Sequence, residues 1–184
     1  MKTIPLAEGD LRWVFPGLED PTKVLERLSE ADTNMRRLAD HLGVTPSWTG
    51  SGLEFHCFDD ALDAFYPPGP WPLGPQMVLS DVPALFGCAE TGEVSFIAEL
   101  ESLAAHEGRA RPGPPWGVHA QVAVRCDGRI DCGMHVIEEQ ETGPYDSPLA
   151  AAEGLAAATN WLLDRGTTEL ASAWRERDPL SRHD

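Results

Sequence analysis

The chain has 184 residues and a mass of 20.0 kDa, which is the size of one ordinary domain. It carries 14 Lys and Arg against 30 Asp and Glu, so its formal net charge is −16. A surface of this sign repels nucleic acid and anionic lipid, both of which are bound through cationic side chains, and it attracts basic proteins. No stretch approaches the roughly 20 apolar residues that cross a bilayer. Glu8 and Asp10 interrupt the N-terminus before the apolar core of a signal peptide can form, so the sequence predicts a cytoplasmic protein.

The clearest predicted element is a long helix over residues 21–42. Asp20 can cap its N-terminus, Pro21 suits the first helical position, and Gly43 can adopt the left-handed conformation that ends a helix. One face of this helix is apolar and consists of Val24, Leu28, Ala31, Met35, Leu38 and Leu42. We expect this face to cover a sheet. The alternative is a partner helix, including a homodimer through the 21–42 helix.

The remaining elements follow from shorter patterns. Apolar runs predict strands at residues 11–15, 53–58 and 76–79, and a short helix at 59–65. Further helices are predicted from Thr91 to Gly108, from Ser147 to Gly166, and over 168–177. Together the elements predict an α+β fold: a mainly antiparallel sheet with the long N-terminal helix and the C-terminal helices packed on one face. We expect one domain over residues 1–184, with a disordered tail at 178–184.

A hairpin around the turn at 127–128 is the most informative segment, because its register decides which side chains meet. A two-residue loop mixes apolar and polar residues on both faces. A three-residue loop over 126–128 pairs Val118 with Val136 and makes one face wholly apolar. Because a slip of one residue moves every side chain to the other face, the sequence favours the three-residue loop.

This register predicts that His119 and His135 lie directly opposite each other on the polar face. Two imidazoles at that separation could ligate a divalent transition metal, with Glu139 or a residue from another element completing the site. Alternatively, one histidine could act as a general base while the other binds substrate. The third possibility is a polar sheet face on which two histidines stack in water. No HExxH motif supplies a further ligand, so no cofactor is expected by default.

Other candidate binding residues lie near two proline-rich loops and after the hairpin. Trp71 and Trp116 sit within the loops, where a tryptophan can line a pocket, anchor a partner or cover the core. Arginines beside the second loop could bind a carboxylate or phosphate, and the glutamates after the hairpin could face a basic partner. The predicted binding residues are Trp71, Trp116, Arg109, Arg111, Gln121, Glu138, Glu139 and Glu141.

Two functions follow from these observations. The first is a protein-binding module, similar in role to an immunity-type inhibitor or an adaptor, whose acidic surface docks a basic protein. The second is a small enzyme or ligand-binding protein, for example in secondary metabolism, with a pocket at His119 and His135. The sequence contains no GxxxxGK[ST], GxGxxG or GxSxG motif, which disfavours the nucleotide and hydrolase chemistry that those motifs support.

Overall fold

A computed structural model describes residues 14–49, 84–91, 94–103, 113–125 and 134–168 of the chain. Its elements, in chain order, are α1 (Thr22–Leu42), β1 (Ser47–Thr49), β2 (Ala84–Glu90), β3 (Val94–Ser102), β4 (Trp116–Arg125), β5 (Met134–Tyr145) and α2 (Pro148–Thr168). The five strands form an antiparallel sheet in the order β1-β2-β3-β4-β5. The helices pack against each other and against one face of this sheet, which confirms the predicted α+β class.

Helix α1 matches its sequence pattern closely. Five of its six predicted apolar positions are fully buried, and Leu42 packs partly buried against the same core. At the N-terminus the Asp20 carboxylate accepts a hydrogen bond of 2.9 Å from the backbone N–H of Thr22, and this bond lowers the pKa of Asp20. At the C-terminus Gly43 adopts φ 72°, and the N–H of Val44 donates to the carbonyl of Ala39.

The apolar face of α1 is occupied within the chain by α2 and the sheet. The predicted homodimer through residues 21–42 was based on this face being available to a second copy. Because Leu28, Met35 and Leu38 are buried inside the domain, that basis is removed, and dimerisation stays a prediction without a surface assigned to it. None of the helices in the described part of the chain is long and apolar enough to span a membrane.

Helix α2 begins where the sequence predicts and continues past its predicted end. The Ser147 hydroxyl accepts a hydrogen bond from the backbone N–H of Ala150, as a cap should. The expected stop at Gly166 is wrong, because the helix runs to Thr168 and Gly166 is buried within it. A Cβ atom at position 166 would overlap the side chain of Leu38 and lie 3.1 Å from the ring of Phe96. Glycine at this position therefore permits close packing of α2 on α1 and β3.

Strand β3 replaces the helix that the sequence predicts from Thr91. Val94, Phe96, Ala98 and Leu100 alternate along it and are all buried in the core that the helices cover. The predicted helix is wrong because Ile97 is also apolar, so the segment fits a helical period as well as a period of two. Thr91 instead closes the β2–β3 turn: its hydroxyl accepts from the N–H of Val94, and its own N–H donates to the carbonyl of Val94.

The first predicted strand is also wrong in its described part. Val14 and Phe15 lie outside any strand and are completely buried. A short apolar run identifies burial but does not distinguish a strand from other buried structure. Strand β2 was missed by the sequence pattern. The elements predicted at 53–58, 59–65 and 76–79, and those beyond Thr168, lie outside the described residues.

Candidate functional site: the acidic outer face of the sheet

The hairpin of β4 and β5 exists, but its register differs from the predicted one. Val118 pairs with Thr142, where the sequence predicts Val136, and the segment between the strands spans 126–133. Irregularities between Trp116 and Val118 and between Val122 and Ala123 shift the register further. The predicted three-residue loop is therefore wrong.

The reason for this error lies in the position of β5 within the sheet. The prediction assumed that both strands would supply an apolar face to the core. In the structure β4 does so, with Val118, Ala120 and Val122 buried, but these residues pair with Thr142, Gln140 and Glu138. Strand β5 is the last strand of the described sheet, so its inward face is only half buried and accommodates polar side chains.

The observed register separates the two histidines. His119 pairs with Glu141, whereas His135 pairs with Val124, a residue buried in the core. Because alternate residues of a strand point to opposite faces, His119 lies on the face away from the helices and His135 on the face toward them. The predicted set is therefore divided: His119 and Glu139 lie on one face, and His135 lies on the other. Within the described residues no group of three or more His, Cys, Asp and Glu side chains is placed to hold a metal ion.

The face away from the helices, which we call the acidic outer face, gathers glutamates from β3 and β5 around His119. Cross-strand pairing places Glu99, His119 and Glu141 in one row, and Gln121 and Glu139 in the neighbouring row. Glu101 follows Glu99 two residues later on the same side of β3. We use the name acidic outer face for six positions on this side: Glu99, Glu101, His119, Gln121, Glu139 and Glu141. Ser95, Ile97 and Ala123 also lie on this side of the sheet, and they are buried.

Two of these side chains, His119 and Glu139, lie in contact with each other. The Nε2 atom of His119 lies 3.6 Å from the Oε2 atom of Glu139, too far for a good hydrogen bond but within ion-pair range when the imidazole is protonated. The His119 side chain is 28% exposed and that of Glu139 is 63% exposed, so the contact lies at the surface. The Nε2 atom of His119 is covered by neighbouring atoms and has no hydrogen bond in the described part of the chain.

Glu138 does not belong to this face, although the sequence grouped it with Glu139 and Glu141. Its Oε2 atom lies 3.1 Å from Nε of Arg165 on α2, on the helix side of the sheet. The guanidinium of Arg165 in turn lies 5.8 Å from the ring centroid of Trp161. Glu138 therefore connects β5 to α2, while Glu139 and Glu141 point to the opposite side.

Trp116 is a core residue. It begins β4, is 2% exposed, and its ring centroid lies 5.4 Å from that of Phe15 in an edge-on arrangement. The indole Nε1–H donates a 3.1 Å hydrogen bond to the carbonyl of Val14. Of the alternatives that the sequence left open for Trp116, the structure shows coverage of the core. Trp71, Arg109 and Arg111 lie outside the described residues.

Sequence reasoning missed Glu99 and Glu101 because it placed them on a helix. The signal that could have identified them is the alternation of buried Val94, Phe96, Ala98 and Leu100 with polar residues further along β3. Comparison with protein-family models, with curated proteins and with solved structures finds no match to this chain. The physical properties of the acidic outer face are therefore the basis for a functional proposal.

Proposed function

We propose that this chain is a cytoplasmic protein-binding module that docks a basic protein on its acidic outer face. The observation that carries the proposal is the segregation of charge. Four glutamates share the acidic outer face. Of the Lys and Arg residues in the described ranges, five lie on the helices, and Arg125 is the last residue of β4; the five are Lys23, Arg27, Arg36, Arg37 and Arg165. Among the described residues this side of the sheet is therefore predominantly negative, whereas the helix layer carries mixed charge.

Exposure supports the use of Glu139 and Glu141 as contact residues. Both are exposed, whereas Glu99, Glu101 and His119 are half-buried beside them. A glutamate that remains hydrated loses little solvation when a partner's Lys or Arg approaches, and the net charge of −16 attracts that partner from a distance. Such steering raises association rates about 10- to 1000-fold at low salt. Binding a basic protein on the acidic outer face is sufficient for a role as an inhibitor or an adaptor.

The alternative of a pocket at His119 and His135 loses the arrangement on which it was based. A shared metal, or a base working beside a second imidazole, needs the two rings on the same face. Cross-strand pairing places them on opposite faces of the sheet. Among the described residues, the other polar side chains around His119 are carboxylates and an amide, which suit recognition of a cationic surface.

The test compares three baits in an affinity capture from the cells that make this protein, at about 50 mM and 500 mM salt. The first is the wild-type chain, the second carries Glu139→Lys with Glu141→Lys, and the third carries Glu26→Lys with Asp164→Lys. The third bait is the matched control, because it changes net charge by the same amount at exposed positions on the helices. Each captured protein is then purified and its affinity measured directly.

We expect a basic partner that binds the wild type and the helix control at low salt. The sheet variant should bind it at least about tenfold more weakly, since two surface ion pairs of up to about 1 kcal/mol each are replaced by repulsion. Equal weakening of both variants would show that only net charge matters. Capture of no basic protein at either salt concentration would contradict the proposal.

A further inference from the structure

Strand β5 lies at an edge of the described sheet. It is 12 residues long and pairs with β4, its one neighbour among the described strands. In an edge strand, alternate residues direct their backbone N–H and C=O groups away from the sheet, where an additional strand can pair with them. Proteins recognise extended peptides in this way, with backbone bonds giving affinity and alternate side chains giving specificity.

The exposure of β5 supports an accessible edge. From His135 to Tyr145, each described side chain is half-buried or exposed, whereas β3 and β4 have buried residues along most of their length. Val136 is 48% exposed, and Gly143 and Pro144 are exposed at the other end. Helix α2 packs mainly over β3 and β4, inward from this edge.

The charges of β5 determine which strand it can accept. Suppose that β5 paired antiparallel with β5 of a second copy, with the two Gln140 residues opposite each other. Glu139 of each copy would then lie opposite Glu141 of the other copy. Like charges directly opposite each other destabilise a sheet, and opposite charges stabilise it. An uncharged strand would form no ion pair with Glu139 or Glu141, and it would partly dehydrate their carboxylates. A strand with Lys or Arg at alternate positions places one cation opposite each glutamate.

We infer that β5 binds its partner by strand addition, and that the occupant is an extended segment with Lys or Arg at every second position. The cationic side chains lie on the acidic outer face opposite Glu139 and Glu141, while the backbone of the segment extends the sheet beyond β5. This inference rests on the proposed function and specifies how the basic partner is recognised. The glutamates thereby disfavour self-pairing of β5 about Gln140 and favour a basic strand.

The experiment uses the full chain and three synthetic peptides of equal charge. The first alternates Lys with Val or Thr over seven residues. The second has the same sequence but carries methyl groups on three successive backbone nitrogens, which removes the donors that a ladder needs. The third has the same composition with its lysines in one block. Affinities are measured by fluorescence anisotropy, and hydrogen exchange of the β5 amides is followed with and without each peptide.

Strand addition predicts that the alternating peptide binds best, that backbone methylation and the block arrangement each weaken binding at least about tenfold, and that β5 amides become protected. The Glu139→Lys, Glu141→Lys variant should lose this binding. If the methylated peptide binds the wild type equally well and the variant loses binding to both, strand addition is wrong while the charge-based function stands. If the wild type and the variant bind all peptides alike, both proposals are wrong.

Discussion

Replacing Gly166 with alanine tests how closely α2 packs on its neighbours. In an ordinary helix interior, glycine to alanine stabilises by about 1 kcal/mol. At Gly166, however, the added methyl group would overlap the side chain of Leu38 and crowd the ring of Phe96, and all three positions are buried. Overpacking of this kind costs about 1–3 kcal/mol. We therefore expect Gly166→Ala to change stability by between about zero and 2 kcal/mol in the unfavourable direction.

The overlap has a specific partner, so a double-mutant cycle isolates it. Leu38→Ala alone should destabilise by about 2–5 kcal/mol, because it removes a fully buried side chain. In that background the methyl group at position 166 has space, and the helix preference for alanine is recovered. The coupling free energy between the two substitutions should accordingly be about 1–3 kcal/mol, with the double variant more stable than the sum of the single changes predicts.

Urea unfolding at 25 °C, followed by circular dichroism, gives all four free energies of unfolding. Ala157→Gly provides the matched reference for helix preference, since Ala157 is exposed on α2. If Gly166 instead ended the helix, Gly166→Ala would lower the free energy of unfolding by the same amount with and without Leu38→Ala. A coupling below about 0.5 kcal/mol would therefore refute the close approach of α2 to α1.

Three further substitutions test contacts that organise the fold. The side-chain amide of Asn34 donates two hydrogen bonds of 3.3 Å to α2, one to the carbonyl of Ala156 and one to the hydroxyl of Thr159. Asn34→Ala removes both, so chemical denaturation should show a free energy of unfolding lower by about 1–3 kcal/mol. Trp116→Phe keeps an aromatic ring but leaves the Val14 carbonyl without its donor, so thermal unfolding should occur at a lower temperature; an unchanged midpoint would contradict the buried hydrogen bond. The hydrogen bond from the backbone N–H of Thr22 lowers the pKa of Asp20. The wild type should therefore be more stable than Asp20→Asn near neutral pH, and this difference should disappear as the pH falls through the lowered pKa. A constant difference in the free energy of unfolding down to pH 2 would contradict the cap.

The helices could be predicted because their information is local. In α1 the apolar spacing, the acidic residue before it and the glycine after it all specify the same element, and the structure has it between Thr22 and Leu42. Gly166 shows the limit of such signals. A glycine can end a helix or permit close packing within one, and only the tertiary neighbours Leu38 and Phe96 distinguish the two.

The sheet could be predicted only in part because strand pairing is not local. The alternation in β3 was hidden by apolar Ile97, which also fits a helical period. The β4–β5 register depended on whether β5 has a second neighbour, and the hairpin sequence does not contain that information. With β5 last in the described sheet, its polar residues can face inward, and His135 is no longer opposite His119. The acidic outer face therefore emerges from topology, although Glu139 and Glu141 were already candidates from charge alone.

Docking on the acidic outer face is tested directly by amide chemical-shift mapping of the isotope-labelled chain during titration with a lysine-rich peptide. We expect the largest shifts to fall on β5 and around His119 on β4, and to vanish at about 500 mM salt, where surface charge is screened. The largest shifts on α1 or α2, or shifts that persist unchanged at high salt, would contradict a docking surface on the acidic outer face.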